Sequence, residues 1–323
     1  MKMNDEELGV MAEVASLYFE QRYSQQEIAD KLYFSRSKVS RLITKAMESK
    51  VVEITINYPL ERILSVENQL KEQFNLKEVI VIRDYSTTYP MLLKRLGAAA
   101  AQYLDGAIKD HSTIGISWGQ TVYNIVEQIV PNQRKRVNVI QLMGTAEHEN
   151  NSAYDAPQLV RKFVEKFDGT YLPFYAPLVV ENDIIRDSLV KEPIISRVID
   201  EAKKVDIVLT SIGEFSLRKI KAWENYLDEK KWKELTAQGA AGVLLAHFIK
   251  MNGSSVDENL DKKVIGIQLS DLKNIQNVVA VVGGANKAKG VFGALNTGYI
   301  STFIVDEKLA EAVLALKAKY TTK

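Results

Sequence analysis

The chain has 323 residues, room for two or three domains at roughly 100–200 residues each. Hydrophobic residues make up 46% and charged residues 26%, which excludes a wholly disordered chain. Lys+Arg total 42 against 41 for Asp+Glu, which excludes a uniformly basic surface but not a local basic patch, and the lack of cysteine excludes disulfides, zinc fingers, iron–sulfur clusters and thiol catalysis.

The opening residues MKMNDEELGV are acidic and lack the apolar run of a signal peptide. The most apolar stretches, 278–282 and 242–249, fall short of the ~20 residues of a membrane span. A soluble, cytoplasmic protein is expected. Met11, Val14, Ala15 and Tyr18 recur at helical spacing and predict a first amphipathic helix. Ser24 followed by Glu27 reads as a capping box opening a second, short helix that buries Ile28, Ala29 and Leu32. Tyr33 and Phe34 make the turn. Ser35 caps a third helix with an apolar stripe of Val39, Leu42, Ile43, Ala46 and Met47. Its opposite face carries Arg36, Ser37, Ser40, Arg41, Thr44 and Lys45. Residues 51–58 alternate and read as a short strand or wing.

Short helix, turn and basic-faced helix make a helix-turn-helix, in which the second helix enters a major groove about 12 Å wide. Residues 31–50 hold six basic side chains and one acidic. The candidate DNA contacts are Gln25, Ser35, Arg36, Ser37, Lys38, Ser40, Arg41 and Lys45. Arg36 and Ser37 lie at the helix N-terminus, where base edges are read, and Lys38, Arg41 and Lys45 suit phosphate or guanine contacts. A solvated helical hairpin has the same local spacing. The whole of 1–58 holds eight basic and nine acidic side chains, so the footprint is narrow and an oligomer is needed to multiply it.

Ile63, Val66, Leu70 and Phe74 predict a helix over 61–74, either a linker pairing two DNA-reading heads or a helix packed on its own domain. From Glu78 onward, Val- and Ile-rich strands (79–82, 113–116, 137–142, 207–212, 278–282, 302–305) alternate with helices (92–108, 158–167, 194–204, 286–295, 307–317). That pattern predicts a Rossmann-like α/β domain with a largely parallel sheet and ligands outside the strand carboxyl ends. Two strand–loop–helix turns carry small residues: Ser117, Gly119, Gln120 and Thr121 after one strand, and Gly283, Gly284 and Lys287 after another. Such turns hold anions on backbone N–H groups and helix ends, and Lys287 adds a charge. The expected boundaries are 1–58, 59–76 and 77–323.

SQQEIADKLYFSRSKVSRLITKA followed by VVEITI resembles the DNA-binding segment of the SorC family of bacterial transcription regulators, through Ser35, Val39, Ser40, Arg41 and Leu42. GISWGQT, VIQLMGT, YAP, GAAG, VIGIQLSDL and VVAVVGGANKAKGVFGAL resemble stretches of that family's effector domain, in the same order, so the likeness spans nearly the whole chain. The resemblance implies a winged helix-turn-helix and an effector domain similar to sugar-phosphate isomerases and deaminases. It also implies a repressor on operator DNA, and a homo-oligomer, dimer or tetramer, controlled by a phosphorylated sugar. It places Ser117, Gly119, Gln120 and Thr121 near the ligand, Gly283, Gly284 and Lys287 at its phosphate, and Gln141, Gly144 and Thr145 along the same mouth. Family members often carry an acid where Val243 stands and another near Lys250. A carboxylate accepts sugar hydroxyls and valine does not, so an atypical effector is expected.

His111, His148 and His247 show no metal-ligand spacing. His111 reads as a solvated loop residue, His247 as a core histidine, and His148 as a loop residue near the pocket. Asp306 caps the last helix or approaches the pocket. Neither a metal nor a cofactor is expected. Two other readings fit the same residues: a sugar-phosphate isomerase or deaminase with an added domain, and a regulator that has lost effector binding; a lysine such as Lys287 can form a Schiff base with a sugar aldehyde, but phosphate pairing is its favoured role.

Overall fold

The computed structural model describes residues 5–52, 60–146, 154–215 and 221–321. The chain forms two units, Met1–Pro59 and Leu60–Lys323.

In the first unit, α1 (Asp5–Ala15) runs into a π-helical turn, Ser16–Glu20. The helices α2 (Gln25–Lys31) and α3 (Arg36–Glu48) follow. The capping box forms in full: Ser24 Oγ accepts from the Glu27 N–H at 3.3 Å, and the Glu27 carboxylate accepts from the Ser24 N–H at 2.8 Å. These bonds satisfy two of the N–H groups that a helix start leaves open. Val14, Leu17, Ile28, Ala29, Val39 and Ile43 close one core cluster, and Met11, Ala15 and Ala46 a second. The predicted stripe on α3 is therefore the packed face, except Leu42, half-buried, and Met47, which is exposed. The wing expected over 51–58 lies, beyond Val52, outside the described residues.

The second unit runs α4 (Leu64–Phe74), β1 (Glu78–Ile82), α5 (Tyr89–Ala107), β2 (Ser112–Ile116), α6 (Gln120–Gln128), β3 (Val137–Gln141), α7 (Ala156–Glu165), β4 (Thr170–Leu172), α8 (Asp183–Leu189), α9 (Pro193–Ala202) and β5 (Ile207–Thr210). It continues with β6 (Ile212–Glu214), α10 (Lys221–Glu224), α11 (Glu229–Ala237), β7 (Ala240–Leu244), β8 (His247–Lys250), α12 (Glu258–Asp261), β9 (Asn277–Val282), α13 (Ala288–Asn296), β10 (Thr302–Asp306) and α14 (Glu307–Thr321). Seven strands form a parallel sheet in the order β1-β10-β9-β5-β2-β3-β4. Its two faces are separately dry. Ile82, Ile114, Ile116, Leu209 and Val281 pack with α5, α6 and α7, whereas Val81, Val208, Ala280 and Val305 pack with α4, α9, α13 and α14. Burial on both faces explains the continuous Val/Ile runs.

The chain reverses its direction of winding between β2 and β5, which pair directly through Ile114–Ile207 and Ile116–Leu209. Open α/β sheets bind ligands at such a switch point. The expected strand over 207–212 is cut at Ser211, and Ile212 starts a separate antiparallel sheet, β6-β7-β8. That small sheet docks on α13 through two facing glycines. A Cβ on Gly242 would lie 2.5 Å from the Gly290 Cα, so neither position has room for a side chain. The expected helix over 61–74 begins only at Leu64. Arg62 instead pairs with Ile82 beside β1, and Leu70 and Phe74 lie in the core of the second unit.

Candidate functional sites: a basic helix and a switch-point cavity

On the first unit, Ser35 caps α3 by accepting from the Lys38 N–H at 3.2 Å, and its hydroxyl lies 3.1 Å from that of Ser37. Arg36, Ser37, Lys38 and Arg41 are exposed, whereas Gln25, Ser40 and Lys45 are half-buried. Among the described residues Arg36 and Arg41 make no ion pair, which leaves both guanidinium groups open to an incoming anion or guanine edge. Lys38 Nζ sits 3.6 Å from the centre of the Phe34 ring, a contact that fixes its direction. Lys45 differs from the rest: its ammonium pairs with Glu7 of α1. A face of exposed Arg, Lys and Ser on a capped, well-packed helix suits the groove of a nucleic acid. Tyr33, read from sequence only as part of the turn, stands 96% exposed at its tip with φ 54°.

On the second unit, the loops after β2, β5 and β9 close a cavity of about 900 Å³. From β2 come Ser117, Trp118, Gly119, Gln120 and Thr121, and from β9 come Asn286 and Lys287. These are the two turns picked out by sequence, now on one mouth. Gly119 is the N-cap of α6, so no capping side chain takes up the first N–H groups of that helix, whose opening residues Gly119, Gln120 and Thr121 line the mouth. Lys287 Nζ donates to the Tyr89 hydroxyl at 2.8 Å and lies 5.5 Å from the centre of that ring. Ser117 is buried, and its Oγ has no hydrogen-bond partner among the described residues. An unmet buried hydroxyl in a cavity wall is a natural contact for a polar ligand.

The other glycine-turn residues take different places. Gly283 is buried, and a Cβ there would meet Leu96 at 2.4 Å, so it shapes the turn beneath the cavity. Gly284 has φ +98°, a conformation that favours glycine, and its N–H donates to the Asp306 carboxylate at 2.8 Å. Its N–H is therefore already engaged. Asp306 is buried and also accepts from the Leu309 N–H at 3.1 Å, capping α14. Burial pushes its carboxyl up from the ordinary range against the pull of those two N–H groups. Gln141 and Thr145 do not reach the mouth: they line a separate cavity of about 290 Å³ beside Arg161 and Tyr175. Gly144 packs under the Pro177 carbonyl, where a Cβ would lie 2.1 Å from the oxygen.

Tyr154, which sequence reading placed in the long loop after β3, also lines the cavity, and sequence reading missed the residues that finish it: Tyr89 from α5, Met143, the run Thr210–Glu214, Trp223, Leu245 and Ala246. Val243, where an acid was noted as missing, does line it. Trp223 is fully buried and its Nε1 donates to the Ala246 carbonyl at 3.0 Å, holding the β7–β8 turn in place. His247 is buried in β8, with Nδ1 2.7 Å from the Leu245 carbonyl, and His111 is exposed in a loop. His148 lies outside the described residues. The cavity thus offers a cation and a helix start for an anion, aromatic rings for a sugar face, and a few hydroxyls and amides for orientation.

The family described as "Putative sugar-binding domain" matches residues 58–315, and the family "Sigma-70, region 4" matches residues 11–49. Fold, sites and these matches together define the class: a DNA-binding transcription regulator with a sugar-type effector domain. The chain belongs to the SorC family of sugar-responsive regulators. It is 31% identical over 97% of its length to the deoxyribonucleoside regulator of Bacillus subtilis, covering 99% of that protein. It is 26% identical to the sorbitol operon regulator of Klebsiella pneumoniae, covering 96% of this chain and 99% of that one. The crystal structure of the full-length Klebsiella regulator superposes with a TM-score of 0.73, covering 97% of this chain and 100% of that one. A transcriptional regulator from Streptococcus pneumoniae has a TM-score of 0.73 at 29% identity, over 79% of this chain and 97% of its own. No helix among the described residues is long and apolar enough to cross a membrane.

Proposed function

We propose that this chain is a cytoplasmic repressor without catalytic activity. It binds operator DNA as a homo-oligomer, dimer or tetramer, and a phosphorylated sugar in the switch-point cavity controls it. The observation that carries this reading is the meeting of Lys287 with the start of α6 at one mouth. A phosphate placed there gains a charge-assisted hydrogen bond and a helix N-terminus at once. The ring faces of Trp118 and Tyr154 suit the apolar side of a sugar. Val243 on the wall, where family members often carry an acid, favours an effector short of hydroxyls. A relative named for deoxyribonucleosides favours a deoxysugar phosphate in particular.

The route from ligand to DNA starts at Tyr89, the first residue of α5, which the Lys287 ammonium already holds. The loop before it carries Arg83 and Tyr85. Both bind Glu61 at the entry to this unit, through a 3.2 Å ion pair and a 2.5 Å hydrogen bond. Shifting Lys287 onto a phosphate therefore bears on the segment through which the chain arrives from the DNA-binding unit. An effector shifts the equilibrium only by its difference in affinity for the two states.

The test is a calorimetric titration of the full chain with pentose and hexose phosphates and their deoxy analogues, with each mixture checked for product by NMR. The expected result is saturable binding of a deoxysugar phosphate and unchanged ligand. Turnover would favour the enzyme reading, and no binding across the panel would favour a regulator that has lost its effector.

A further inference from the structure

We infer that Glu214 selects the effector by accepting a hydrogen bond from a sugar hydroxyl; this rests on the sugar-phosphate reading of the same cavity. Glu214 ends β6 and is the sole carboxylate among the described residues that line the cavity. It stands on the strand paired with β7, one position beyond Gly213, which is the partner of Val243. Glu214 itself pairs with Gly242, so its side chain leaves the small sheet on the face opposite Val243, toward Asn286, and the acid of this cavity comes from the neighbouring strand and the other face.

The carboxylate is held in place. Asn286 Nδ2 donates to Glu214 Oε2 at 2.6 Å, the one side-chain hydrogen bond that Glu214 makes among the described residues. Asn286 and Lys287 are consecutive in the 3-10 turn Ala285–Lys287, and they point to different neighbours: Asn286 to Glu214 on β6, Lys287 to Tyr89 on α5. The turn thus presents an acceptor and a cation to one cavity.

Among the described residues neither Glu214 nor Lys287 takes part in an ion pair. Opposite charges in one cavity that do not neutralise each other call for a ligand polarised in the same sense. Lys287 needs an anion. A carboxylate only accepts, so it needs a donor and repels a second anion. A monophosphorylated sugar meets both demands, with its phosphate at Lys287 and a hydroxyl at Glu214. A sugar phosphorylated at both ends would place one phosphate against the carboxylate. The side chains of Val243, Leu245 and Ala246 supply no acceptor to the cavity, so Glu214 fixes where along the sugar a hydroxyl is needed.

The experiment is isothermal titration of the full chain and its Glu214→Gln variant with 2-deoxyribose 5-phosphate, ribose 5-phosphate and inorganic phosphate. Glutamine keeps the shape and can still accept from Asn286, but its amide puts a donor against the hydroxyl. A hydrogen bond to a charged group is worth roughly 10- to 100-fold in affinity. The variant is expected to lose that much for whichever pentose phosphate the natural chain binds, and to bind inorganic phosphate within about twofold of it. Equal pentose-phosphate affinity in both chains would overturn the inference, as would an equal loss for pentose phosphate and inorganic phosphate, which would mean only that the turn had been disturbed. Should Glu214→Gln melt early, Glu214→Asp serves, with the same selective loss expected. If the natural chain binds no sugar phosphate at all, the proposed function fails first, and the two failures stay distinct.

Discussion

The DNA-reading face and the effector cavity are built by opposite means. The first comes from one 13-residue helix and its cap, packed on a small core. The second comes from loops far apart in the chain: the bond between Lys287 and Tyr89 spans 198 positions. A face on one helix survives wherever that helix is held. A cavity depends on strand order, on the docking of a second sheet and on a buried Trp223. Damage to the fold should therefore strike effector control before it strikes DNA reading.

The largest expected effect tests that difference. Trp223→Ala removes a fully buried indole and the bond that holds the β7–β8 turn, at a cost of about 3–5 kcal/mol. Differential scanning calorimetry should show the second unit melting early while the first keeps its own transition. A joint collapse of both units would break the comparison. Next, Lys287→Ala should weaken sugar-phosphate binding about 10- to 100-fold, as for a lost charged hydrogen bond, and leave DNA affinity without ligand unchanged. Calorimetric titration and fluorescence anisotropy read the two halves.

On the helix, Arg36→Ala should lose about 1–3 kcal/mol of discrimination between preferred and random duplexes. Lys38→Ala should weaken both alike and lower the salt slope by about one. Competition anisotropy at several salt concentrations separates the two, and a uniform loss on Arg36→Ala would misplace the reading end of α3. The smallest effect concerns the cap of α2. Ser24→Ala should cost the first unit about 1 kcal/mol. The Ser24 N–H, and then its hydroxyl, hold the Glu27 carboxyl below its ordinary range. A carboxyl lowered on folding stabilises above its unfolded range, near pH 4.3, and that contribution fades as pH falls through the lower, folded value. The melting temperatures of the natural chain and Glu27→Gln should accordingly converge on acidification.

The same contrast decides what could be read from the sequence. Ser24, Glu27 and Ser35 announce their helices because caps act over three residues, and both capping patterns formed. The parallel sheet was legible because strands buried on both faces must be apolar throughout. The small sheet β6-β7-β8 was not. Ile207–Ile212 reads as one apolar run, and nothing local marks the break at Ser211. Of the cavity, the turns at Gly119–Thr121 and Lys287 could be found by their strand–loop–helix setting. Tyr89, Trp223 and Glu214 carry no local signal, and only the strand order brings them to one mouth. Gln141 and Thr145 follow a strand end as the others do, yet β3 lies one strand further from the switch point, so they line a different cavity. Lys45 looked free on its helix because its partner, Glu7, lies on another.

The most direct test of control by the cavity is DNA binding read with and without effector. A duplex selected from a random pool by the full chain is labelled, and its affinity is followed by anisotropy while 2-deoxyribose 5-phosphate or another binding sugar phosphate is added. The predicted result is a shift in DNA affinity for the natural chain and none, at the same ligand concentration, for Lys287→Ala. An equal shift in both, or none in either, would contradict control of DNA binding through the Lys287 turn.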